Sequence, residues 1–267
     1  SLDLTYNTRL SSLTFNSTLF NLEYLYCNNT QLSALNVVQL SALRELNLSN
    51  TPFNSITNIT NLSSISGLQQ LYVDSTNIKD LDFSYLPNSF SIESLQASNN
   101  PSLSSINPLS LSSINARGYN LKSLQLKENT SLSAAAFYTL SALQYLALSR
   151  TRLKDVSFAG LSSLRTFEST GNRFLSSFNS TTSLPQLTGC YFTSTGGFHH
   201  RALSSFALTG CPLLQQINVN NAPLEYINAS NNPSLNLFFS NCISVPSNEK
   251  IIYLNNLTNL KYLYIYN

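Results

Sequence analysis

One stretch of this chain is written three times. Leu40-Ser41-Ala42-Leu43-Arg44-Glu45-Leu46-Asn47-Leu48-Ser49 returns as Leu140-Ser141-Ala142-Leu143-Gln144-Tyr145-Leu146-Ala147-Leu148-Ser149. A third copy runs from Leu161 through Ser162, Ser163, Leu164, Arg165 and Thr166 to Phe167. Lys79-Asp80-Leu81-Asp82-Phe83 likewise returns as Lys154-Asp155-Val156-Ser157-Phe158. A chain that repeats at short period stacks like units instead of closing around one compact core. The shared pattern is LxxLxLxxNxL, clearest at Leu22-Glu23-Tyr24-Leu25-Tyr26-Cys27-Asn28-Asn29-Thr30-Gln31-Leu32. Further copies start at Leu43, Leu68, Ile92, Leu111 or Leu121, Leu143, Leu164, Leu187, Leu203, Leu224 and, truncated, Leu260. The common period is about 21 residues.

Strand geometry explains the pattern. Side chains alternate across a strand, so the fourth and sixth places point the same way. Leu25 and Cys27, Leu46 and Leu48, Leu71 and Val73, and Leu146 and Leu148 are the expected core. The ninth place falls where the chain leaves the strand, and a polar side chain there satisfies orphaned backbone groups. It reads Thr30, Thr51, Thr76, Asn100, Asn129, Thr151, Asn172, Thr195, Cys211 and Asn232. Thr has one hydroxyl where Asn has both a donor and an acceptor, so a Thr-rich ladder binds less.

In this pattern the chain resembles the leucine-rich-repeat family in its short-repeat extracellular form, over essentially its whole length. The resemblance implies a mostly β member of the α/β-solenoid class. The expected shape is a curved solenoid, with a parallel β-sheet on its concave face and little helix. It also implies an Asn ladder, and a concave face that binds proteins or glycans. Residues 1–267 read as a single solenoid domain of eleven to twelve repeats, with no linker and no evident capping repeat. The second half of each repeat reads as extended or turn-like. The exception is Leu132 to Leu140, where Ala134, Ala135 and Ala136 favour one short helix. From Leu203 to Leu235 apolar starts come twice as often, so both halves of a coil carry strand pattern there.

Composition narrows the class. Only 10% of residues are charged and the net charge is +2. Nucleic acid is therefore not an expected partner, since its binders carry a basic excess. No apolar run reaches the length of a membrane span. A low-charge surface rich in Ser, Thr and Asn suits a protein outside the cell or on its surface. Asn-x-Ser/Thr acceptors occur at Asn16, Asn28, Asn47, Asn58, Asn61, Asn129, Asn179, Asn228 and Asn256. With Asn, Ser and Thr this frequent, a similar number arises by chance.

No enzyme signature is present: no G-x-S-x-G, no P-loop and no paired carboxylates. Cys27 and Cys190 fall on inward places and read as buried thiols, while a Cys211–Cys242 pair stays open. Nothing groups Cys with His as a metal or cofactor site. His199 and His200 point to opposite faces and read as surface loop residues. Arg150, Arg152, Lys154, Arg165 and Arg173 read as a solvated basic edge.

The expected binding face carries Tyr24, Tyr26, Arg44, Glu45, Gln70, Tyr72, Tyr145, Arg165, Tyr191, Tyr226, Tyr262 and Tyr264. Tyr and Arg bring large contact area to interfaces. Asn28, Asn47 and Asn228 are expected on the same face, where glycans obstruct a partner. The chain begins and ends inside the motif, at Leu2 and Leu4 and at Leu263 and Ile265. Two readings follow. Missing caps are encoded beyond the ends, or copies stack head to tail into a glycosylated extracellular filament through those residues.

Overall fold

The computed structural model describes residues 1–15, 19–86, 92–106, 121–180, 182–193, 199–242 and 250–266. Two units divide the chain, Ser1–Leu132 and Ser133–Asn267.

In the first unit, the strands Leu2–Asp3, Tyr24–Tyr26, Glu45–Asn47, Gln70–Tyr72, Ser94–Gln96 and Ser123–Gln125 pair in that order, all parallel. They form this unit's main sheet. Register is set by the motif: Leu25, Leu46, Leu71, Leu95 and Leu124 stand opposite one another across successive coils. A coil spans 21 residues from Leu25 to Leu46 and 29 from Leu95 to Leu124. The strands stay aligned at both lengths. The motif before the last strand starts at Leu121, which resolves the alternative with Leu111; Leu111 lies outside the described residues.

The expected core is the observed one. Leu25, Cys27, Leu46, Leu48, Leu71, Val73, Leu95, Ala97, Leu124 and Leu126 have no exposed surface. Each buried Leu contributes roughly 1.5–3 kcal/mol, but only when a neighbouring coil covers it. Among the described residues, the opposite side of this unit pairs Leu35–Asn36 with Ile59–Thr60 and also carries a two-residue strand at Ser105–Ile106 and single-turn 3-10 helices at Ile56–Asn58 and Leu62–Ser64.

The second unit's main sheet runs Tyr145–Ala147, Thr166–Glu168, Gly189–Phe192, Gln216–Ala222, Leu237–Cys242 and Tyr262–Tyr266, again parallel throughout. A second sheet runs Ser177–Ser180, Ser205–Leu208, Tyr226–Asn228 and Ile251–Tyr253. The doubled apolar pattern therefore does mark strands in both halves of a coil. It also corrects the repeat starts. Leu203 and Leu224 lead into second-sheet strands, whereas Leu214 and Leu235 lead into the main sheet. Between the sheets lies an aromatic core in which the Phe178 ring sits 4.6–5.6 Å from those of Phe158, Phe167, Phe192 and Phe206.

No helix forms between Leu132 and Leu140. Ala134–Ala135 is extended, and the chain turns where Leu140 N–H donates to the Phe137 carbonyl. A helix there would have to nucleate in fewer than ten residues, which alanine propensity does not offset.

Candidate recognition face

The ninth-place ladder divides by residue type. Asn reaches the neighbouring coil. Asn100 Oδ1 accepts from Thr76 N–H at 3.0 Å, and its Nδ2 donates to the Val73 carbonyl at 3.0 Å. Asn129 repeats this on Asn100 N–H and the Ala97 carbonyl, Asn172 on Thr151 N–H and the Leu148 carbonyl, and Asn232 on Cys211 N–H and the Leu208 carbonyl. The Thr30 and Thr51 hydroxyls donate to the carbonyl three residues back in their own coil, and the Thr76 hydroxyl donates both there and to Asn100 Oδ1 of the next coil. The Thr30 and Thr51 hydroxyls thus lack the bond that Asn makes across the stack.

His200 departs most from its sequence reading. It is fully buried, and its carbonyl accepts from Leu203 N–H as the Asn172 carbonyl accepts from Leu175 N–H. Ser204 N–H donates to the Ser176 carbonyl in the same register. His200 therefore holds the ladder place of its coil, the place the sequence gives to Thr195, which lies outside the described residues. Its ring packs 5.5 Å from that of Phe192. Burial pushes its pKa down to about 4, against smaller opposing backbone contacts from Ser169, Thr193 and Asn172.

The place before the ladder went unread in the sequence. Asn29, Asn50, Ser75, Asn99, Glu128, Arg150, Asn231 and Asn256 all have φ between 54° and 62°. Asn tolerates the left-handed region better than other non-glycine residues, and its recurrence there was the available signal. Three pairs of these side chains bond across coils: Asn50 Nδ2 donates to Asn29 Oδ1, Asn99 Nδ2 to Ser75 Oγ at 2.9 Å and Asn256 Nδ2 to Asn231 Oδ1 at 2.7 Å.

Outward from the first unit's main sheet stand the third and fifth places of each coil. Tyr24 aligns with Glu45 and Gln70, and Tyr26 with Asn47 and Tyr72. Tyr24 is exposed, and the other five are half-buried by their neighbours. The Tyr72 hydroxyl donates to Gln70 Oε1. Burial raises the Tyr26 and Tyr72 phenols, and the Glu45 carboxylate adds to both shifts. Arg44 pairs with Glu23 at 3.8 Å and Lys122 with Glu93 at 3.0 Å, along the second-place row. Both pairs are about half exposed, so they order the face more than they stabilise it.

On the second unit's main sheet, Tyr145 and Tyr191 lie at the outward third and fifth places, and Arg165 stands at the second place, just before its strand. The Tyr191 hydroxyl donates to Gln216 Oε1 at 3.2 Å, its ring crossing over Gly189. A Cβ at Gly189 would meet that hydroxyl at 2.5 Å, so this glycine makes room for the phenol. Tyr262, Tyr264 and Tyr266 follow on the last strand, with adjacent ring centroids 6.4 and 6.2 Å apart. Tyr226 and Asn228 are corrected: both belong to the second sheet, where Tyr226 lies 6.0 Å from Tyr253. The doubled motif made them look like main-sheet residues.

The remaining candidates separate by burial. Asn129 is fully buried and donates both amide hydrogens, to the Ala97 and Leu126 carbonyls, so in the folded chain its amide nitrogen is closed to glycan attachment. Asn61, Asn179 and Asn256 are exposed, Asn28, Asn47, Asn58 and Asn228 half-buried, and Asn16 lies outside the described residues. Leu2, Leu4 and Ile265 are half-buried and Leu263 is exposed. Cys27, Cys190 and Cys211 are buried free thiols, and burial lifts the Cys27 pKa to about 12. The side chain of Cys242 lies outside the description. Among the described residues, no group of three His, Cys, Asp or Glu is placed to hold a metal, and no helix is long and apolar enough to cross a membrane.

A leucine-rich-repeat family model matches residues 119–174, the segment in which Leu121, Leu143 and Leu164 open successive coils. The described strands form parallel sheets with almost no helix, consistent with a leucine-rich-repeat fold. Similar solved structures include the functional domain of InlJ from Listeria monocytogenes, whose description notes a cysteine ladder. It is 20% identical over 93% of this chain and 60% of its own, with a TM-score of 0.38. The leucine-rich-repeat protein LIC12759 of Leptospira interrogans is 18% identical over 98% of this chain and 76% of its own, with a TM-score of 0.49. The internalin InlF of Listeria monocytogenes is 17% identical over 91% and 80%, with a TM-score of 0.43. This chain thus spans three fifths of the InlJ domain. Comparison with curated proteins gives no match.

Proposed function

We propose that this leucine-rich-repeat chain is a non-catalytic recognition scaffold outside the cell, binding a protein or glycan across the outward face of its main sheets. The observation that carries the reading is the ordered row set of the first unit. Tyr24, Glu45 and Gln70 stand in one row and Tyr26, Asn47 and Tyr72 in the next, fixed by backbone register. A partner meeting such a face pays little to order it, because the strands have already done so. Tyrosines supply contact area with few rotamers to freeze. The low charge and the Asn, Ser and Thr content support an extracellular setting. Exposed acceptors support glycosylation away from the binding face: Asn179 lies on the second sheet, and Asn61 caps the Leu62–Ser64 turn.

The test is capture by the purified chain on a panel of cell-surface ectodomains and on a glycan array. The Tyr24→Ala/Tyr26→Ala/Tyr72→Ala variant runs beside it, with thermal melting as the fold control. A well-folded variant that loses at least tenfold in affinity supports the reading, and the array that responds names the partner class. Equal capture by the two proteins refutes it.

A further inference from the structure

Charge is spread unevenly along this chain. Residues 150–201 hold six Lys and Arg against Asp155 and Glu168, a local balance of +4 where the whole chain has +2. The structure gathers part of that excess. Arg152 follows the ladder residue Thr151, Arg173 follows Asn172, and Arg201 follows His200. The register fixes these as one place in three consecutive coils. Thr151 N–H bonds Asn172 Oδ1, and Ser177 stands opposite Ser205 with the same offset that separates Arg173 from Arg201. Neighbouring strands lie about 4.8 Å apart, so three guanidinium side chains issue from the stack at that repeat. All three are exposed, and none forms an ion pair among the described residues. Two are held by an aromatic ring: the Arg152 and Arg173 guanidinium carbons lie 5.2 and 4.8 Å from the Phe174 centroid.

We propose that the ridge of Arg152, Arg173 and Arg201 binds a linear sulfated polysaccharide. Fixed cations at a short, regular repeat match a polymer that carries anionic groups residue after residue. Guanidinium groups donate paired hydrogen bonds to such oxyanions, and released counterions drive the association. Nucleic acid is the poorer fit. Single strands gain most of their affinity from bases stacked on free aromatic faces, and the Phe174 ring of this ridge already serves two guanidinium groups. The ridge follows the ladder turn, off the strands that carry Tyr145 and Tyr191, so it stands or falls apart from the function proposed above.

Immobilised heparin octasaccharide is the probe, with the intact chain titrated over a series of salt concentrations. Wild-type binding should weaken steeply with salt and vanish on desulfated octasaccharide. Arg152→Ala/Arg173→Ala/Arg201→Ala should lose tenfold or more with unchanged melting. The matching triple Lys variant should keep salt-sensitive but weaker binding, which guards against an Ala variant that fails to fold. Binding that survives desulfation, or an Ala variant that binds like wild type, overturns the proposal. Tighter binding to single-stranded DNA of equal charge overturns it in favour of a nucleic-acid site.

Discussion

His200 shows how one residue at a ladder place changes the behaviour of its coil. An Asn there joins two coils, as Asn172 does with three hydrogen bonds to the preceding coil and one to Ser169 in its own. The imidazole is instead buried against Phe192 and held neutral, with its pKa near 4 where the ordinary value is 6.5. The unfolded chain takes up this proton as pH falls through about 6.5, and the folded chain does so only near 4. Stability present above pH 6.5 is therefore lost as pH drops through that window, by about 3 kcal/mol at about 1.4 kcal/mol per unit. His200→Asn should remove this acid limb and restore the cross-coil bonds. Urea unfolding of both proteins at pH 7 and pH 5 reads the difference. An unchanged pH dependence in the variant would place the acid sensitivity elsewhere. Sequence could not reveal this role, because the ladder spacing breaks in this coil and the nearest regular position is Thr195. The inward places of Leu25, Cys27 and Cys190 were legible, because strand alternation depends only on neighbours two residues away.

At the scale of elements, the two units close their coils differently. The first turns back through 3-10 helices and short strands, and the second through a full second sheet. Five Phe rings fill the space between the second unit's sheets, and Phe178 touches four others in near-stacked or edge contacts. Phe178→Ala should cost about 3–5 kcal/mol, as large-to-small changes in aromatic cores do. Thermal melting measures it, and a loss under 1 kcal/mol would mean the rings do not carry this packing. The second sheet was half legible. Its period of ten to eleven residues shows in the sequence, yet Leu224 and Leu235 carry the same motif in different sheets. A pattern of burial says that a strand has one buried face, not which sheet it joins. That is why Tyr226 and Asn228 were misplaced while Tyr24, Tyr26 and Tyr72 were not.

For the molecule as a whole, the described surfaces divide by chemistry. The main-sheet faces are polar and tyrosine-bearing, the ridge of Arg152, Arg173 and Arg201 is cationic, and exposed glycan acceptors lie on other elements. Low overall charge leaves the ridge as a local feature of a nearly neutral protein. The central claim is that recognition takes place on the main-sheet face. Hydroxyl-radical footprinting of the chain, free and bound to the partner found by capture, tests it most directly. The account predicts protection of Tyr24, Tyr26 and Tyr72, with Tyr226 and Tyr253 on the second sheet unchanged. Protection of Tyr226 and Tyr253, with Tyr24, Tyr26 and Tyr72 oxidised as in the free chain, would contradict it.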